Sequence, residues 1–440
     1  MKTARQTAFE ILIKINRDNA FSNLAIDAKL NNCELNAKDK SLATAIVYGV
    51  LERRLTLDYV ASLYLKQSIN KLKPEVLTAL RIGVFQLLFM NKIPNSAAIN
   101  ESVQLVKKNG CTYASGLLNA VLRKVCENGL SVPDYDKDKL LYYSIKYSCP
   151  TQLVAMWLKA YGEENTKQIL AESIGPAPTV IRVNTLKTNS QDLIKILAEH
   201  GVTAKICNEV EDALILDRAG SVESILAYKN GLFHVQDTAS QICCKALDVS
   251  YGQTVFDMCA APGGKSFTLA QKMKNQGKLF SFDLYESRIK LIEEGAQRLG
   301  ITNLTSNLLD ASVYNENIGM ADKVLCDVPC SGLGIIRRKP EIRYKALENI
   351  DKLPNIQYHI LQTSAKYVNQ GGTLLYSTCA LNPKENDEVC DRFLQEHKNF
   401  KLVRPMTEIN TYNAESNYLT LMPHINNSDG FFIATFIRTE

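Results

Sequence analysis

The stretch that most constrains the fold runs from Thr254 to Lys265 and reads TVFDMCAAPGGK. A short apolar run ends in a loop of small residues with two consecutive glycines, and a helix-forming segment follows at once. This order predicts a strand, a tight turn and a helix, with glycines where the backbone approaches a bound group closely. The start of the helix would offer unpaired N–H groups to a ligand. An ordinary βα turn fits equally well, and Cys259 replaces the first glycine of a phosphate-binding P-loop.

The length and composition restrict the class of protein. A chain of 440 residues is long enough for two or three domains, each with its own core. Its 46% hydrophobic and 22% charged residues are typical of a soluble globular protein. The apolar runs are too short to cross a bilayer, and the N-terminus resembles an amphipathic helix more than a signal peptide. We therefore expect a cytoplasmic protein without a membrane partner.

The cysteines and histidines argue against disulfides and metals. The twelve cysteines have no regular spacing and form no CxxC pair, and the five histidines are far apart. These patterns predict neither a disulfide framework nor a metal site. The formal net charge of +5 mildly favours a polyanionic partner.

The first part of the chain, residues 1–130, has a helical pattern throughout. Breaks rich in Asn or containing Pro predict five to seven helices. Any single basic residue here can be part of a solvated helix face, but a small basic helical domain also fits an RNA-docking module. The basic residues at predicted exposed positions are Arg5, Lys14, Arg17, Arg53, Arg54, Lys107, Lys108, Arg123 and Lys124.

The remainder of the chain predicts two further domains. After a polar linker, residues 140–235 form helices and then a small α+β lobe with a βαβ-like order of strand 179–184, helix 190–200 and strand 213–216. Such a lobe could contact substrate. After Thr254 strands and helices alternate to the end, so residues 236–440 are predicted to form an α/β domain with a largely parallel, doubly wound, Rossmann-like sheet. Its predicted strands are 255–258, 278–282, 304–309, 323–326, 372–377 and 430–437.

Three of these strands end in aspartates at the edge where a doubly wound sheet binds ligands. Asp283 follows the glycine loop by about 20 residues, where a nucleotide-binding fold places a ribose-binding carboxylate, although it could also be a helix N-cap. Asp310 could accept a hydrogen bond from the exocyclic amine of a purine, and Asp327 ends the next strand. Nothing near the loop resembles a magnesium site. These carboxylates therefore favour an adenosine cofactor without phosphates, S-adenosyl-L-methionine.

Two cysteines, Cys330 and Cys379, follow two predicted strand ends on the same side of the sheet. A buried cysteine alone is usually inert, but a pair beside a cofactor site suits methylation of a pyrimidine at carbon 5. A thiolate that adds to carbon 6 makes carbon 5 nucleophilic. Asp327 could stabilise the charge that develops near ring N3, and the second cysteine could assist loss of the carbon 5 proton and expulsion of the thiol.

Three segments, 257–265, 327–334 (DVPCSGLG) and 376–379 (YSTC), resemble motifs of the RNA cytosine-5 methyltransferase family. Further similar segments are 236–240, 337–340 and 429–432. The helical N-terminal part resembles the NusB-like RNA-binding domain fused to the bacterial 16S rRNA (cytosine-5) methyltransferase B group, also called Sun or Fmu. The resemblance covers nearly the whole chain, and its catalytic motifs are highly specific.

The resemblance implies roles for the matching residues. Cys379 would be the covalent nucleophile, because the RNA enzymes use the cysteine of the Thr-Cys pair, and Cys330 would help product release. Arg288 would contact the cofactor, although a solvated helix position explains it equally well. Ala380 and Tyr344 depart from the serine and tryptophan of many relatives. The implied cofactor-binding residues are Cys259, Ala260, Ala261, Pro262, Gly263, Gly264, Lys265, Asp283, Arg288, Asp310 and Asp327.

The sequence therefore predicts a monomeric enzyme that transfers a methyl group from S-adenosyl-L-methionine to carbon 5 of a cytosine in 16S rRNA. One alternative keeps the chemistry and changes the substrate to tRNA. Another is a non-catalytic RNA-binding or assembly factor that keeps the fold, which the presence of both cysteines opposes.

Overall fold

The fold is that of a computed structural model and is described for residues 3–18, 20–217, 220–345, 350–405 and 408–440. The chain forms two compact units. The first contains residues 1–176 together with 336–345, and the second contains 177–335 and 346–440.

The first unit is helical. The spacing of apolar residues in α1 places Ala8, Ile11, Leu12 and Ile15 on one buried face, as the sequence predicts. Seven α-helices lie within the described part of residues 3–129. Two further helices follow: the first ends with Ser148 as its C-cap, and the second is interrupted at Gly162, where φ is +74°. The helices are α1 Ala4–Asp18, α2 Ser22–Leu30, α3 Ala37–Glu52, α4 Arg54–Ser62, α5 Pro74–Phe89, α6 Asn95–Lys108, α7 Ser115–Asn128, α8 Lys139–Tyr147 and α9 Thr151–Glu172.

Residues 336–345 belong to this helical unit although they follow the DVPCSGLG segment in sequence. Arg343 is fully buried there and its guanidinium donates hydrogen bonds to four backbone carbonyl groups. These acceptors offset the cost of burying the charge. Tyr344, the residue that departs from the family pattern, donates its hydroxyl to the carbonyl oxygen of Leu51 at 3.0 Å. The four carbonyl groups belong to Glu52, Tyr147, Ser148 and Ser173.

The second unit begins with a four-stranded sheet of order β2-β3-β1-β4. Every strand pair in this sheet is antiparallel, so β1 and β3, the two strands that the sequence predicts, run in opposite directions. The sequence pattern located β1, β3 and the helix between them but missed β2 and β4, which are only four and three residues long. The elements are β1 Thr179–Val183, α10 Ser190–Glu199, β2 Thr203–Ile206, β3 Ala213–Asp217, α11 Leu226–Lys229 and β4 Phe233–Val235.

The second sheet is the largely parallel sheet that the sequence predicts. Its strand order is β10-β12-β9-β8-β5-β6-β7, with β11 paired to β12. The five strands from β5 to β9 are parallel, whereas β10, β11 and β12 add antiparallel pairs at one side. Its strands are β5 Thr254–Asp257, β6 Lys278–Asp283, β7 Leu304–Leu308, β8 Ala321–Asp327, β9 Val368–Thr378, β10 Phe400–Val403, β11 Leu419–Leu421 and β12 Phe431–Arg438.

Helices cover both faces of this sheet. Val255 shares a core with Phe267 of α13 and Ile292 of α14, whereas the next residue, Phe256, shares a core with Tyr358 of α15. This alternation is that of a strand buried on both faces, as in a doubly wound sheet. The helices are α12 Thr238–Leu247, α13 Gly264–Lys272, α14 Glu286–Leu299, α15 Leu353–Ala365, α16 Asp387–Glu396 and α17 Pro423–Asn426.

No helix in the described ranges combines the length and the apolar character needed to cross a membrane.

Candidate active site

The loop between β5 and α13 has the strand, turn and helix order that the sequence predicts. Gly263 caps α13 in the left-handed region, with φ of +102°. A Cβ at this position would lie 2.3 Å from the ring of Phe267, so the conformation and the space both require glycine. The backbone N–H of Phe267 donates to the carbonyl oxygen of Gly263 and continues the helix from the turn.

A cleft of about 220 Å³ opens beside this loop. Gly263 is not among its lining residues, and its part is to set the turn. Gln236 also shapes the cleft, because its side-chain amide donates to the carbonyl oxygen of Gly264 at 3.1 Å. Of the implied cofactor-binding residues the cleft brings together Cys259, Ala260, Ala261, Pro262, Gly264, Lys265 and Asp327, and it adds Val235, Gln236, Asp237, Ser240 and Asp257.

An ion pair joins the loop to the end of β8. The Nζ atom of Lys265 donates to Oδ2 of Asp327 at 2.6 Å, and the Ser377 hydroxyl donates to Oδ1 at 2.8 Å. Burial alone would lower the pKa of Lys265, but the charge of Asp327 and the neighbouring thiol groups outweigh burial and raise the pKa. The ammonium group is therefore charged, and it holds Asp327 in place in the lining of the cleft.

Asp283 ends β6 beside the same loop and is buried. Its carboxylate accepts hydrogen bonds from the backbone N–H groups of Ala261 and Tyr285, each at 3.3 Å. The N-cap residue of α14 is Tyr285, so Asp283 is not the helix cap that the alternative interpretation offered. Arg288 lies 3.7 Å from Asp283 Oδ1 with 55% of its side chain exposed, so it can reach both the carboxylate and solvent.

Asp310 lies in a second, wider cavity of about 760 Å³ rather than in the cleft at the glycine loop. It is exposed and accepts hydrogen bonds from the backbone N–H and the hydroxyl of Ser312. Leu284 and Leu308, which are 50% and 62% exposed, line this cavity next to Asp283. Exposed apolar side chains beside carboxylates suit a flat ligand that is partly apolar and carries hydrogen-bond donors.

The two cysteines lie together. The sulfur atoms of Cys330 and Cys379 are 3.1 Å apart. The loop 329–334, here called the Cys330 loop, is fastened to the end of β9 because the N–H of Gly334 donates to the carbonyl oxygen of Cys379 at 2.9 Å. A Cβ on Gly334 would lie 1.9 Å from the carbonyl oxygen of Gly430, so only glycine permits this close approach.

The surroundings oppose ionisation of Cys330. Its pKa is raised well above the usual value, first by the hydrogen bond with the Cys379 sulfur, then by burial, and further by the charges of Cys379, Glu385 and Asp327. The pKa of the Cys259 thiol in the loop is also raised, mainly by burial. Neither thiol is therefore activated as a nucleophile in this arrangement.

Sequence reasoning missed three buried polar residues that lie under the Cys330 loop, namely Gln357, Asn382 and Glu385. Glu385 accepts a hydrogen bond from the N–H of Ser331 at 2.8 Å. The polar run from Asn382 to Asn386 follows Cys379 almost at once, but its composition is that of a solvated turn and does not predict burial. Within the described residues, no three His, Cys, Asp or Glu side chains gather in a way that could hold a metal ion.

Three family models match the chain. The model described as 16S rRNA methyltransferase RsmB/F matches residues 244–437, the NusB family model matches 2–127, and the RsmF/B-like ferredoxin-like domain matches 149–223. These matches confirm the fold class that the sequence predicts: a helical NusB domain, a small α+β lobe and a Rossmann-like methyltransferase domain.

Relatives match over the full length. The chain is 36% identical to the probable ribosomal RNA small subunit methyltransferase B of Bacillus subtilis (strain 168), covering 98% of each protein. It is 34% identical to the protein of the same description from Synechocystis sp., covering 99% of each. Among solved structures, the crystal structure of PH0851 is similar, with a TM-score of 0.83, 28% identity and 99% coverage of both chains. The chain therefore belongs to the ribosomal RNA small subunit methyltransferase B family and is an RNA methyltransferase.

Proposed function

We propose that this enzyme transfers a methyl group from S-adenosyl-L-methionine to carbon 5 of a cytosine in 16S rRNA, through a covalent bond between Cys379 and carbon 6. The observation that carries the proposal is the 3.1 Å separation of the Cys330 and Cys379 sulfur atoms at neighbouring strand ends. Cytosine-5 chemistry needs one thiol to add to the ring and a second group to help release it. The names of the relatives support small-subunit rRNA as the substrate.

The residues present fit an S-adenosyl-L-methionine-type cofactor, which membership of a methyltransferase family implies. The glycine turn exposes the start of α13, where backbone N–H groups favour a carboxylate. Asp283 could hold ribose hydroxyls, and Leu284 and Leu308 offer apolar surface for a purine, with Asp310 nearby. Arg288 could contact the same group through its exposed side chain. When bound, the cofactor supplies an electrophilic methyl group.

The first step that the chain's own residues perform is addition. The Cys379 thiolate forms a bond to carbon 6, and the electron pair of the ring double bond makes carbon 5 nucleophilic. Lys265 and Ser377 hold Asp327 in the lining of the cleft. Addition puts negative charge on the ring near N3, so Asp327 would stabilise that charge by carrying a proton and donating it to N3, and the Lys265 ammonium group beside it adds positive charge. The match to the Thr-Cys pair of the RNA enzymes makes Cys379 the candidate for the thiolate.

The second step is release. The methylated ring carries both a methyl group and a proton on carbon 5, and a base must remove that proton. The electron pair of the C–H bond re-forms the ring double bond, and Cys379 leaves as a thiolate. Once Cys379 is bonded to carbon 6, its thiol hydrogen bond and its charge no longer oppose ionisation of Cys330. Cys330 can then lose its own proton to water and accept the carbon 5 proton.

The three predicted regions divide the remaining work in this proposal. Residues 1–130 would dock RNA through exposed basic side chains, residues 140–235 would flank the substrate, and residues 236–440 would carry the chemistry. The target base would be flipped or unpaired to reach the cysteines. We further propose that the enzyme acts as a monomer and without a metal ion.

Methyl transfer from labelled S-adenosyl-L-methionine tests the proposal. The enzyme would be offered 16S rRNA, assembled small ribosomal subunits and a tRNA pool, and labelled positions would be mapped as 5-methylcytosine. We expect label at a specific cytosine of 16S rRNA, unaffected by a chelator. Preferential labelling of tRNA would overturn the substrate, and no labelling of any RNA would support a non-catalytic factor instead.

A further inference from the structure

Glu385 is a fully buried carboxylate in the segment that follows Cys379. Three hydrogen-bond donors converge on it. Its Oε2 accepts from the N–H of Ser331 at 2.8 Å and from the side-chain amide of Gln357 at 2.9 Å. Its Oε1 accepts from the side-chain amide of Asn382 at 2.9 Å. Buried carboxylates need such donors, and hydrogen bonds to a charged acceptor are stronger than those between neutral groups.

These bonds hold the chain on both sides of Cys330. Ser331 follows Cys330 directly, and the Gln357 amide that contacts Glu385 also donates to the carbonyl oxygen of Pro329 at 3.0 Å. The neighbours of Cys330 are therefore both bound to one polar cluster. Since the Cys330 loop contains no regular secondary structure of its own, this cluster fixes the position of the sulfur.

The same segment holds the chain on both sides of Cys379. The Thr378 hydroxyl donates to the side-chain oxygen of Asn386 at 2.6 Å, and the amide of Asn386 donates to the carbonyl oxygen of Ala380 at 2.8 Å. Asn386 is the residue after Glu385. One short segment, 382–386, therefore sets the distance between the two cysteine sulfurs.

We propose that Glu385 is a positioning residue for the release step: by binding Ser331 and Gln357 it holds the Cys330 sulfur against Cys379. The inference rests on the function proposed above, in which Cys330 removes the carbon 5 proton. Glu385 does not touch substrate or cofactor in this assignment. Its loss should therefore affect release of the covalent adduct far more than its formation.

The three partners explain why the residue is a glutamate. All of them are donors, so both oxygens of Glu385 must be acceptors. In a Glu385→Gln variant the new NH2 group would point either at the NH2 group of Asn382 or at the N–H groups of Ser331 and Gln357. In both orientations a donor would meet a donor. Adding Asn382→Asp restores the pattern, because the carboxylate introduced at position 382 accepts from the new amide N–H, while the oxygen of that amide accepts from Ser331 and Gln357. The double variant keeps the net charge of the cluster.

The experiment compares the full-length wild type with Glu385→Gln and with Asn382→Asp/Glu385→Gln, using 16S rRNA and labelled S-adenosyl-L-methionine. We expect Glu385→Gln to accumulate a protein–RNA adduct on denaturing gels and to lower kcat by about tenfold to a hundredfold, since small misplacements cost that much. Because the steps up to methyl transfer are unaffected, kcat/KM for RNA and for the cofactor should stay near the wild-type values, so KM should fall together with kcat. The double variant should recover most of the loss.

Two further variants separate positioning from general destabilisation. Tyr358→Phe, at the residue next to Gln357, removes the hydroxyl that donates to the carboxylate of Glu396 and leaves Gln357 and the Glu385 carboxylate in place. It should lower the melting temperature without changing the adduct fraction. Gln357→Met removes one of the three donors and should give an intermediate adduct fraction, which tests the proposal even if Glu385→Gln does not fold.

Adduct release at the wild-type rate in folded Glu385→Gln, or a double variant as slow as the single one, would overturn the inference. So would wild-type release in Gln357→Met if Glu385→Gln cannot be purified. Absence of methyl transfer by the wild type itself would instead overturn the proposed function, so the two failures are distinguishable.

Discussion

The sulfur of Cys330 lies 3.1 Å from the sulfur of Cys379, although the two residues are 49 positions apart in sequence. The pairing of β8 with β9 produces this proximity, because Asp327 lies opposite Ser377 in the parallel register. Each cysteine follows its strand end within three residues, and the Gly334 N–H ties the two segments together. Adjacent parallel strands thus bring two thiols to the edge of the sheet where ligands bind.

The turn at the glycine loop gives a test of the fold of the cleft. Gly263→Ala would place a side chain at φ of +102° and against the Phe267 ring, so we expect a loss of about 1–3 kcal/mol in the free energy of unfolding. Gly264→Ala is the matched control. A Cβ at position 264 would lie 3.9 Å from its nearest neighbour, the side-chain nitrogen of Gln236. The free energy of unfolding should therefore change by no more than about 0.5 kcal/mol. Equal denaturant midpoints for the two variants would contradict this assignment of the turn.

Asp257 at the end of β5 predicts a pH dependence of stability. Burial raises its pKa to about 7, so the folded protein holds a proton that the unfolded chain loses near pH 4. The free energy of unfolding should therefore fall as pH rises from about 4 to 7, by up to roughly 4 kcal/mol from this group. Asp257→Asn removes the group that ionises. The free energy of unfolding of this variant, minus that of the wild type, should therefore be larger at pH 8 than at pH 5.

The quantity to measure is the difference in the free energy of unfolding between the wild type and Asp257→Asn at each pH. Burial lowers the pKa of His234 to about 3, and this group destabilises the fold as pH falls below its unfolded value near 6.5. His234 contributes equally to both curves and cancels in the difference. Asp217→Asn, an exposed change at the end of β3, is the control and should follow the wild type. Parallel curves for Asp257→Asn and the wild type would rule out the shifted carboxyl group.

Lys107 and Lys108 test RNA docking by the helical domain. Both are exposed at the end of α6. If they neutralise phosphates, Lys107→Gln/Lys108→Gln should weaken RNA binding and reduce the slope of log affinity against log salt by about 1.5. Lys398→Gln/Lys401→Gln changes the net charge equally on an exposed part of the other unit and should leave the slope unchanged. Equal slopes for both double variants would place the RNA elsewhere.

Much of the fold could be predicted from the sequence because its signals are local. The apolar run at Val255, the glycines at 263 and 264 and the aspartates at the strand ends lie within one βα unit each, and the structure has these elements where the pattern predicts them. The two cysteines could also be assigned to one edge of the sheet, since consecutive parallel strands end at the same side.

The parts that were missed depend on contacts between distant segments. Arg343 gives no sign in its own neighbourhood that residues 336–345 pack into the helical unit. Glu385 is a charged residue in a polar run, which is typical of a solvated turn, and only the tertiary fold buries it under the Cys330 loop. Asp310 follows its strand as predicted, yet the structure assigns it to a separate cavity.

The separate roles of Cys379 and Cys330 are tested most directly with the variants Cys379→Ala and Cys330→Ala. Each variant would be given labelled S-adenosyl-L-methionine and 16S rRNA, and methyl transfer and protein–RNA adducts would be measured on a denaturing gel. We expect Cys379→Ala to transfer no methyl group and form no adduct, and Cys330→Ala to accumulate a covalent protein–RNA adduct because release fails. Methylation by Cys379→Ala, or an adduct that requires Cys330 instead, would contradict the account.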